Sequence, residues 1–128
     1  GLADNPLDEL GILQSELFRA VRLVVDTGMH YKRWTREEAM AYMKAKTGMS
    51  DTEVRVEIER YIVWPAQALS YKVGMIKILE LRKKAQDALG EKFNIKDFHS
   101  ALLDHGSPPL FIVEEKVNDM INNAKSLN

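Results

Sequence analysis

The sequence predicts an all-α protein. Apolar residues recur every three or four positions along most of the 128 residues, which is the spacing of one helix face. These segments begin with residues that cap helices and end at Gly or Pro. No two alternating segments are joined by a hairpin turn. We therefore expect about six helices in a bundle-like array, forming a single domain over residues 1–128.

The first predicted helix runs from Leu7 to Thr27. Gly28 follows it and is expected to be the left-handed residue that closes the helix. The apolar residues of one face are Leu7, Leu10, Leu13, Leu17, Val21, Val24 and Val25. This pattern predicts an amphipathic helix that buries one face.

Two capping boxes open the next two helices. In each, a Ser or Thr is followed three residues later by Glu, as in the pairs Thr35–Glu38 and Ser50–Glu53. Gly48 is expected to end the first of these helices. The second ends near Val63, since the residue before Pro65 avoids the helical region.

Three further helices complete the prediction. The longest begins at Pro65, because proline suits the first turn of a helix. It runs to Ala88 and is ended by Gly90. A short helix capped by Asn94 continues to residue 105, where Gly106 stops it. The last helix covers residues 109–127.

Composition excludes several classes of partner and chemistry. The formal net charge is −1, from 18 basic and 19 acidic residues, so we expect no nucleic-acid partner. The chain has no cysteine, which excludes disulfides and thiolate chemistry. No apolar run approaches the length of roughly 18 residues that a membrane helix needs.

The segment VVDTG, residues 24–28, resembles the catalytic loop of an aspartic protease. That enzyme needs its aspartate on a loop between strands, where two carboxylates share a proton. Asp26 instead lies in the last turn of a predicted helix with no alternating segment nearby. We therefore interpret Asp26 and Gly28 as parts of a helix end.

The three histidines do not form a zinc motif. No HExxH motif and no pair of ligands at helical spacing is present, so no metal site is predicted in this chain. His99 and His105 are interpreted as surface or packing residues. His30 follows the first helix beside Tyr31, and either faces a cleft or packs against the next helix.

Tyr71 is the candidate with the clearest chemistry. It follows Gln67 by four residues on the predicted helix after Pro65, with Lys72 beside it. A tyrosine hydroxyl on a rigid helix can donate to a developing oxyanion, although a core tyrosine is the alternative. Arg22 either forms an ion pair with Asp26 on a solvated face or binds a substrate carboxylate.

Two long stretches resemble a known family. They are ELFRAVRLVVDTGMHYKRWTREEAMAYM and the segment from EIERYIVWPAQALSYK to LLDHGSPPL. They resemble the C-terminal portion of the bacterial domain-of-unknown-function family number eight-eight-five, over residues from about Leu10 to Ile121. The family usually has Pro-Gly-Gln where this chain has Pro65-Ala66-Gln67. Because alanine is the better helix former, we expect the fold to tolerate that difference.

The resemblance implies the C-terminal part of a larger helical zinc metallopeptidase of the gluzincin type. Family members carry an HExxH-like motif and an EGWALY-type motif, both missing here, and the chain opens GLADNPLDELG without an initiator Met. The expected partner is thus the missing N-terminal metal-binding part of the same protein, with zinc and a peptide-like substrate in that parent. The chain alone is expected to hold no cofactor and to be inactive.

The same resemblance implies roles for individual residues. Tyr71, and less strongly Tyr61, would stabilise the transition state. The implied substrate contacts are His30, Gln67, Lys72 and Arg22. It also favours an exported bacterial protein.

A non-catalytic helical interaction module remains the alternative. Separately, if the metal-bearing part is missing, the face of the first helix that packs on it is exposed. Leu13, Leu17, Val21 and Val24 form one apolar stripe there, which Ile12 and Leu23 widen. Exposed stripes of this kind usually bind a partner, so we expect a homodimer through this helix.

Overall fold

The computed structural model describes residues 4–126, which fold into six α-helices and two short 3₁₀ helices with no strand among them. The helices are α1 Pro6–His30, α2 Arg36–Thr47, α3 Asp51–Val63, α4 Ser70–Leu89, α5 Ile95–Leu103 and α6 Leu110–Ser126. The all-α prediction is therefore confirmed. Leu127, the predicted end of the last helix, lies outside the described residues.

The chain divides into two compact units between Val73 and Gly74, within α4. Each unit has its own apolar core. The first core consists of Val21, Val25, Ala39, Met43, Val54, Ile58, Tyr61 and Ala68. The second consists of Leu81, Ala85, Leu89, Phe98, Val113, Val117 and Ile121. The single-domain prediction stays a prediction.

Helix α1 is longer than predicted at both ends. Asn5 caps it by accepting hydrogen bonds from the backbone of Leu7 and Asp8, and Pro6 occupies the first turn. Only the C-terminal half of the helix is buried. The apolar residues of the N-terminal half are exposed by 47–78%: Leu7, Leu10, Ile12, Leu13 and Leu17.

Gly28 does not end α1, and that prediction was wrong. The helix continues to His30, and Gly28 is buried within it. A Cβ atom at this position would lie 2.3 Å from Cε3 of Trp34, so the glycine is needed for the close approach of the indole ring. The helix ends instead where the backbone N–H of Tyr31 donates to the carbonyl of Thr27, and Arg33 takes the left-handed conformation at φ 59°.

Both capping boxes are confirmed. The hydroxyl of Thr35 accepts the Glu38 N–H at 3.1 Å, and the Glu38 carboxylate accepts the Thr35 N–H at 2.7 Å. Ser50 and Glu53 repeat the arrangement at 3.3 and 3.0 Å. These hydrogen bonds lower the pKa of both glutamates. Gly48 ends α2 in the left-handed conformation as predicted, at φ 68°.

The helix predicted to begin at Pro65 begins five residues later, so that prediction was wrong. Trp64, Pro65 and Ala66 form a turn, in which Ala66 is left-handed at φ 69°. A 3₁₀ helix, Gln67–Leu69, then leads into α4. The turn is held from α1, because the Asp26 carboxylate accepts the Ala66 N–H at 3.1 and 3.2 Å.

The second unit contains the remainder of α4 together with α5 and α6. Asn94 caps α5 as predicted, by accepting the Lys96 N–H at 3.0 Å. The helix ends at Leu103, two residues before the predicted His105. Gly90 follows the last residue of α4 in the left-handed conformation at φ 55°, as predicted, whereas Gly106, left-handed at φ 72°, lies three residues beyond the end of α5.

Candidate functional site

The candidate site is centred on Arg22, in the buried half of α1. Arg22 is only 7% exposed, and its guanidinium carbon lies over three aromatic rings. The distances to the ring centroids are 5.6 Å for Phe18, 5.3 Å for Tyr61 and 5.2 Å for Tyr71. We call these four residues the arginine cage. Contacts of this kind attract a cation to the ring face and partly offset the cost of burying the charge.

Burial of Arg22 leaves part of its hydrogen-bonding capacity unused. Its Nε atom is inaccessible to solvent and has no hydrogen-bond partner. No carboxylate among residues 4–126 forms an ion pair with it, including Asp26, which lies one turn further along α1. Of the two readings left open for Arg22, the ion pair with Asp26 on a solvated face does not hold, because both residues are buried and the Asp26 carboxylate accepts the Ala66 N–H. Unsatisfied buried donors are rare in native proteins and call for a physical explanation.

Tyr71 forms the exposed side of the cage. It lies in the first turn of α4 and is 55% exposed, so it is not the core tyrosine that the sequence left open. A second guanidinium, that of Arg19, also contacts its ring at 5.4 Å from the centroid. Arg19 donates through Nη1 to the backbone carbonyl and the hydroxyl of Ser15. Two positive charges thus flank one accessible phenol.

Tyr61 forms the buried side of the cage. It is 1% exposed, and its hydroxyl donates to the carboxylate of Glu57 one turn earlier on α3. Burial and the adjacent Glu57 carboxylate raise the pKa of this hydroxyl well above its usual range. Glu57 also accepts a hydrogen bond from Arg60 at 2.9 Å. The proton of the Tyr61 hydroxyl is therefore engaged in the hydrogen bond to Glu57.

His30 is linked to the cage through the backbone. Its Nε2 atom lies 2.9 Å from the carbonyl oxygen of Tyr61. Since a carbonyl can only accept, this nitrogen carries a proton and donates. His30 itself is an exposed residue at the end of α1.

Two contacts fix the start of α4 against α1. One is the hydrogen bond from Ala66 to the buried Asp26, which is 2% exposed. The other is the ion pair of Lys72 with Glu16, at 2.8 Å. Tyr71 lies between these two points in the sequence, so both contacts restrain its position.

Gln67 is not placed relative to Tyr71 as the sequence predicted. It lies in the 3₁₀ helix rather than one α-helical turn before Tyr71. It is exposed, and its backbone carbonyl accepts a hydrogen bond from Ser70 at 2.8 Å. The structure thus unites Arg22, Tyr61 and Tyr71 and connects His30 to them, while Gln67 contributes no described side-chain contact.

Sequence reasoning missed two residues and one long-range contact that shape the site. Phe18 precedes Arg22 by four positions, and Glu57 precedes Tyr61 by four, so helical spacing could have indicated both pairs. The anchoring of Ala66 by Asp26 joins residues 40 positions apart. No local pattern in the sequence indicates that contact.

Two hollows on the first unit adjoin the cage through Phe18. One, of about 490 Å³, is lined by Gln14, Ser15, Leu17, Phe18, Thr47, Gly48 and Met49. The other, of about 340 Å³, is lined by Phe18, Met49, Thr52, Glu53, Val56 and Glu57. Both are within the size range of ligand pockets. Neither is lined by Tyr71 or His30.

The described part of the chain offers no ligand set for a metal ion. Within residues 4–126, no three His, Cys, Asp or Glu side chains lie close enough together to hold one. Zinc therefore does not fit these residues on their own. Across the same residues, no helix is both long and apolar enough to cross a membrane.

Comparison with known proteins identifies similar sequences and structures. Residues 1–117 match the sequence profile of the family described as "Bacterial protein of unknown function (DUF885)". The chain is also similar to the crystal structure of the "putative lipoprotein" from Colwellia psychrerythraea. The two sequences are 53% identical over the match, and the TM-score of the two structures is 0.90. The match covers 92% of this chain and 20% of the lipoprotein, so the chain spans about a fifth of its length. No curated protein matches the chain.

Proposed function

Because the chain belongs to the bacterial family DUF885, we propose that it forms the substrate-cleft part of a zinc-dependent hydrolase of peptide or amide bonds. The observation that carries this proposal is the environment of Tyr71. Its ring is more than half exposed, yet it is held between two guanidiniums at the fixed start of α4. An accessible hydroxyl on a restrained helix is suited to chemistry on a bound substrate.

Tyr71 is assigned the role of hydrogen-bond donor to an oxygen that gains negative charge during hydrolysis. Such preorganised donors stabilise a transition state more than the ground state. The positive charges of Arg19 and Arg22 beside the ring favour negative charge in the same region. Both anchors of α4 hold the hydroxyl in place, so little reorganisation is needed during the reaction.

The remaining candidates take supporting roles in this proposal. Tyr61 has the smaller share of transition-state stabilisation, because its buried hydroxyl already donates to Glu57. Its main contribution is the contact of its buried ring with the Arg22 guanidinium. The substrate-side contacts are His30, Gln67, Lys72 and Arg22. Lys72 would act with its charge partly neutralised by Glu16.

Zinc belongs to the parent protein in this proposal and not to these residues. Residues 4–126 contain no cluster of three potential ligands, and in this proposal the metal-binding residues belong to the missing N-terminal part of the parent polypeptide. We therefore assign the metal no step here. The solved relative is about five times longer than the part this chain matches, which leaves ample sequence for such a metal-binding part.

The exposed stripe of α1 is the proposed contact with that missing part. Of the stripe predicted from sequence, Leu13, Leu17 and Val24 are exposed, whereas Val21 is buried in the core of the first unit. The exposed face is better described by Leu10, Leu13, Leu17, Ala20 and Val24, which are spaced alternately three and four residues apart, the spacing of a helix seam. A hollow of about 140 Å³ is lined by the seam residues Leu17, Ala20 and Val24 together with Val21, Tyr42 and Lys46. A helix from the parent would cover this seam. In the isolated chain a second copy would take its place and give a homodimer. Since the solved relative is described as a lipoprotein, we further propose an exported parent.

The same stripe favours the second candidate function, a non-catalytic interaction module. An exposed apolar helix face can serve binding without any chemistry. An interaction module does not require the Tyr71 hydroxyl for chemistry, whereas the hydrolase does. The two functions therefore differ in whether the parent hydrolyses anything.

Metal content and hydrolysis of the full-length parent separate the two functions. We expect the purified parent to hold about one zinc ion per chain and to cleave members of a peptide mixture analysed by mass spectrometry. The isolated 128-residue chain should do neither. A zinc-free parent that cleaves nothing would favour the interaction module. About one tightly held zinc per isolated chain would contradict the view of the chain as a part of the enzyme.

A further inference from the structure

The arginine cage carries a buried charge that no carboxylate among residues 4–126 neutralises. Burying a guanidinium is unfavourable unless it is paired and hydrogen-bonded. Arg22 has three aromatic neighbours but no ion pair, and its Nε lacks a partner. Aromatic contacts satisfy the charge only in part, because they accept no N–H in the guanidinium plane.

Arg19 brings a second positive charge to the same ring. Its guanidinium and that of Arg22 lie 5.4 and 5.2 Å from the centroid of Tyr71. The described hydrogen bonds of Arg19 use only Nη1, and both go to Ser15. The two guanidiniums repel each other, and an anion bound between them would be attracted to both and would offset that repulsion.

From these contacts we propose that Arg22, Arg19 and Tyr71 form a binding site for the carboxylate of a peptide. An arginine fork matches the two oxygens of a carboxylate and can bind them bidentately. Tyr71 supplies an exposed ring against which the neighbouring apolar atoms of the peptide would pack. The peptide nature of the ligand rests on the proposed function, whereas recognition of the carboxylate rests on the cage itself.

The surroundings favour an anion with one negative charge over a dianion such as phosphate. Asp26 lies one turn from Arg22, Glu16 lies one turn from Arg19, and Glu57 lies beside Tyr61. Each of these acids has a partner of its own, in Ala66, Lys72 and Arg60 respectively. Their negative charges still lower the local potential, so the site suits a single carboxylate.

Binding of short peptides to the 128-residue chain, followed by NMR titration, tests this inference. The peptides are N-acetyl-trialanine as its free acid, the same peptide as its C-terminal amide, and N-acetyl-Ala-Glu-Ala amide. We expect the free acid to bind at least about tenfold more tightly than the trialanine amide, because the latter cannot pair with the guanidinium. Binding of the glutamate peptide at the level of the free acid would assign the site to side-chain carboxylates, and weaker binding would assign it to a peptide C-terminus.

Variants locate the binding in the cage. Arg22→Gln and Arg19→Gln should each weaken binding of the free acid by about tenfold or more. Arg22→Lys keeps the charge but removes the fork, so it should also weaken binding. Arg55→Gln, at an exposed position of α3, is the matched control and should leave binding unchanged. If Arg22→Gln does not fold, the Arg19 variant and Arg22→Lys still give the answer.

Equal binding of the acid and the amide, or no binding of either, would overturn the inference. Tighter binding of inorganic phosphate than of the free acid would also overturn it. These outcomes are independent of hydrolysis by the parent. If the parent hydrolyses peptides but the cage does not bind carboxylates, the proposed function is retained and this inference fails. If the chain binds carboxylates but the parent is inactive, this inference is retained and the proposed function fails.

Discussion

Replacement of Ala66 by glycine should stabilise the first unit. Ala66 is left-handed at φ 69°, a conformation that costs a residue with a Cβ about 1–2 kcal/mol. Glycine removes this strain, but its greater conformational freedom in the unfolded chain destabilises the folded state by about 0.4–1 kcal/mol. The N–H that donates to Asp26 is retained. The net gain should therefore be about 0.5–1 kcal/mol.

The two tryptophans make this change measurable in the unit where it occurs. Trp34 and Trp64 are the only tryptophans of the chain, and both belong to the first unit. Urea unfolding followed by their fluorescence thus reports the stability of that unit. The midpoint should rise for Ala66→Gly, and the melting temperature should rise by about 2–6 °C.

Ala41→Gly provides the matched control. Ala41 is exposed within α2, where the same substitution should destabilise by about 0.5–1 kcal/mol. The two alanine-to-glycine changes should therefore have opposite signs. If Ala66→Gly lowered the midpoint as Ala41→Gly does, Ala66 would be helical and the turn before α4 would be wrong.

Further predictions concern the caps, Gly28 and the α1 stripe. Thr35→Ala and Ser50→Ala should each cost about 1 kcal/mol, measured by urea unfolding, and unchanged midpoints would mean that α2 and α3 begin elsewhere. The cap contribution should be present above the ordinary pKa of glutamate and lost as the pH falls through the lowered pKa. Gly28→Ala should cost about 1–3 kcal/mol, because its Cβ would collide with the Trp34 ring, and full stability would show that the ring packs elsewhere. Light scattering should show a dimer for the isolated chain and a monomer for Leu13→Asp, whereas a monomeric unmutated chain at high concentration would count against the interface.

The features predicted correctly from sequence are those determined by neighbouring residues. The capping boxes of Thr35 and Ser50 depend on residues three positions apart, so their pattern is visible in the sequence alone. Gly48 likewise ends its helix through its own backbone freedom. Local propensity and tertiary structure agree at these points.

The wrong predictions arose where a distant contact overrides a local signal. Glycine commonly ends a helix, so the sequence predicts a helix end at Gly28. It lies within α1 instead, because the Trp34 ring packs where its side chain would be. Ala66 looked like a favourable helix former after Pro65, yet Asp26 holds it in a left-handed turn. This turn gives a physical reason for the Pro-Gly-Gln that the family resemblance implies here, because glycine adopts the conformation without strain.

The candidate site was only partly predictable for the same reason. Tyr71 and Arg22 could be singled out by residue type and helical position, but their contact depends on how α4 meets α1. Gln67 was grouped with Tyr71 because the intervening 3₁₀ helix was not foreseen. The roles assigned to these residues remain proposals.

The turnover of the Tyr71→Phe parent tests the central claim most directly. The substitution removes one hydroxyl from a residue that is 55% exposed, so the free energy of unfolding should be nearly unchanged. The value of kcat on a peptide substrate should fall by roughly 10²- to 10³-fold if that hydroxyl stabilises the transition state. Tyr31→Phe, at an 84% exposed tyrosine beyond the end of α1, should leave kcat unchanged. Intact turnover per folded molecule in the Tyr71 variant would contradict the account.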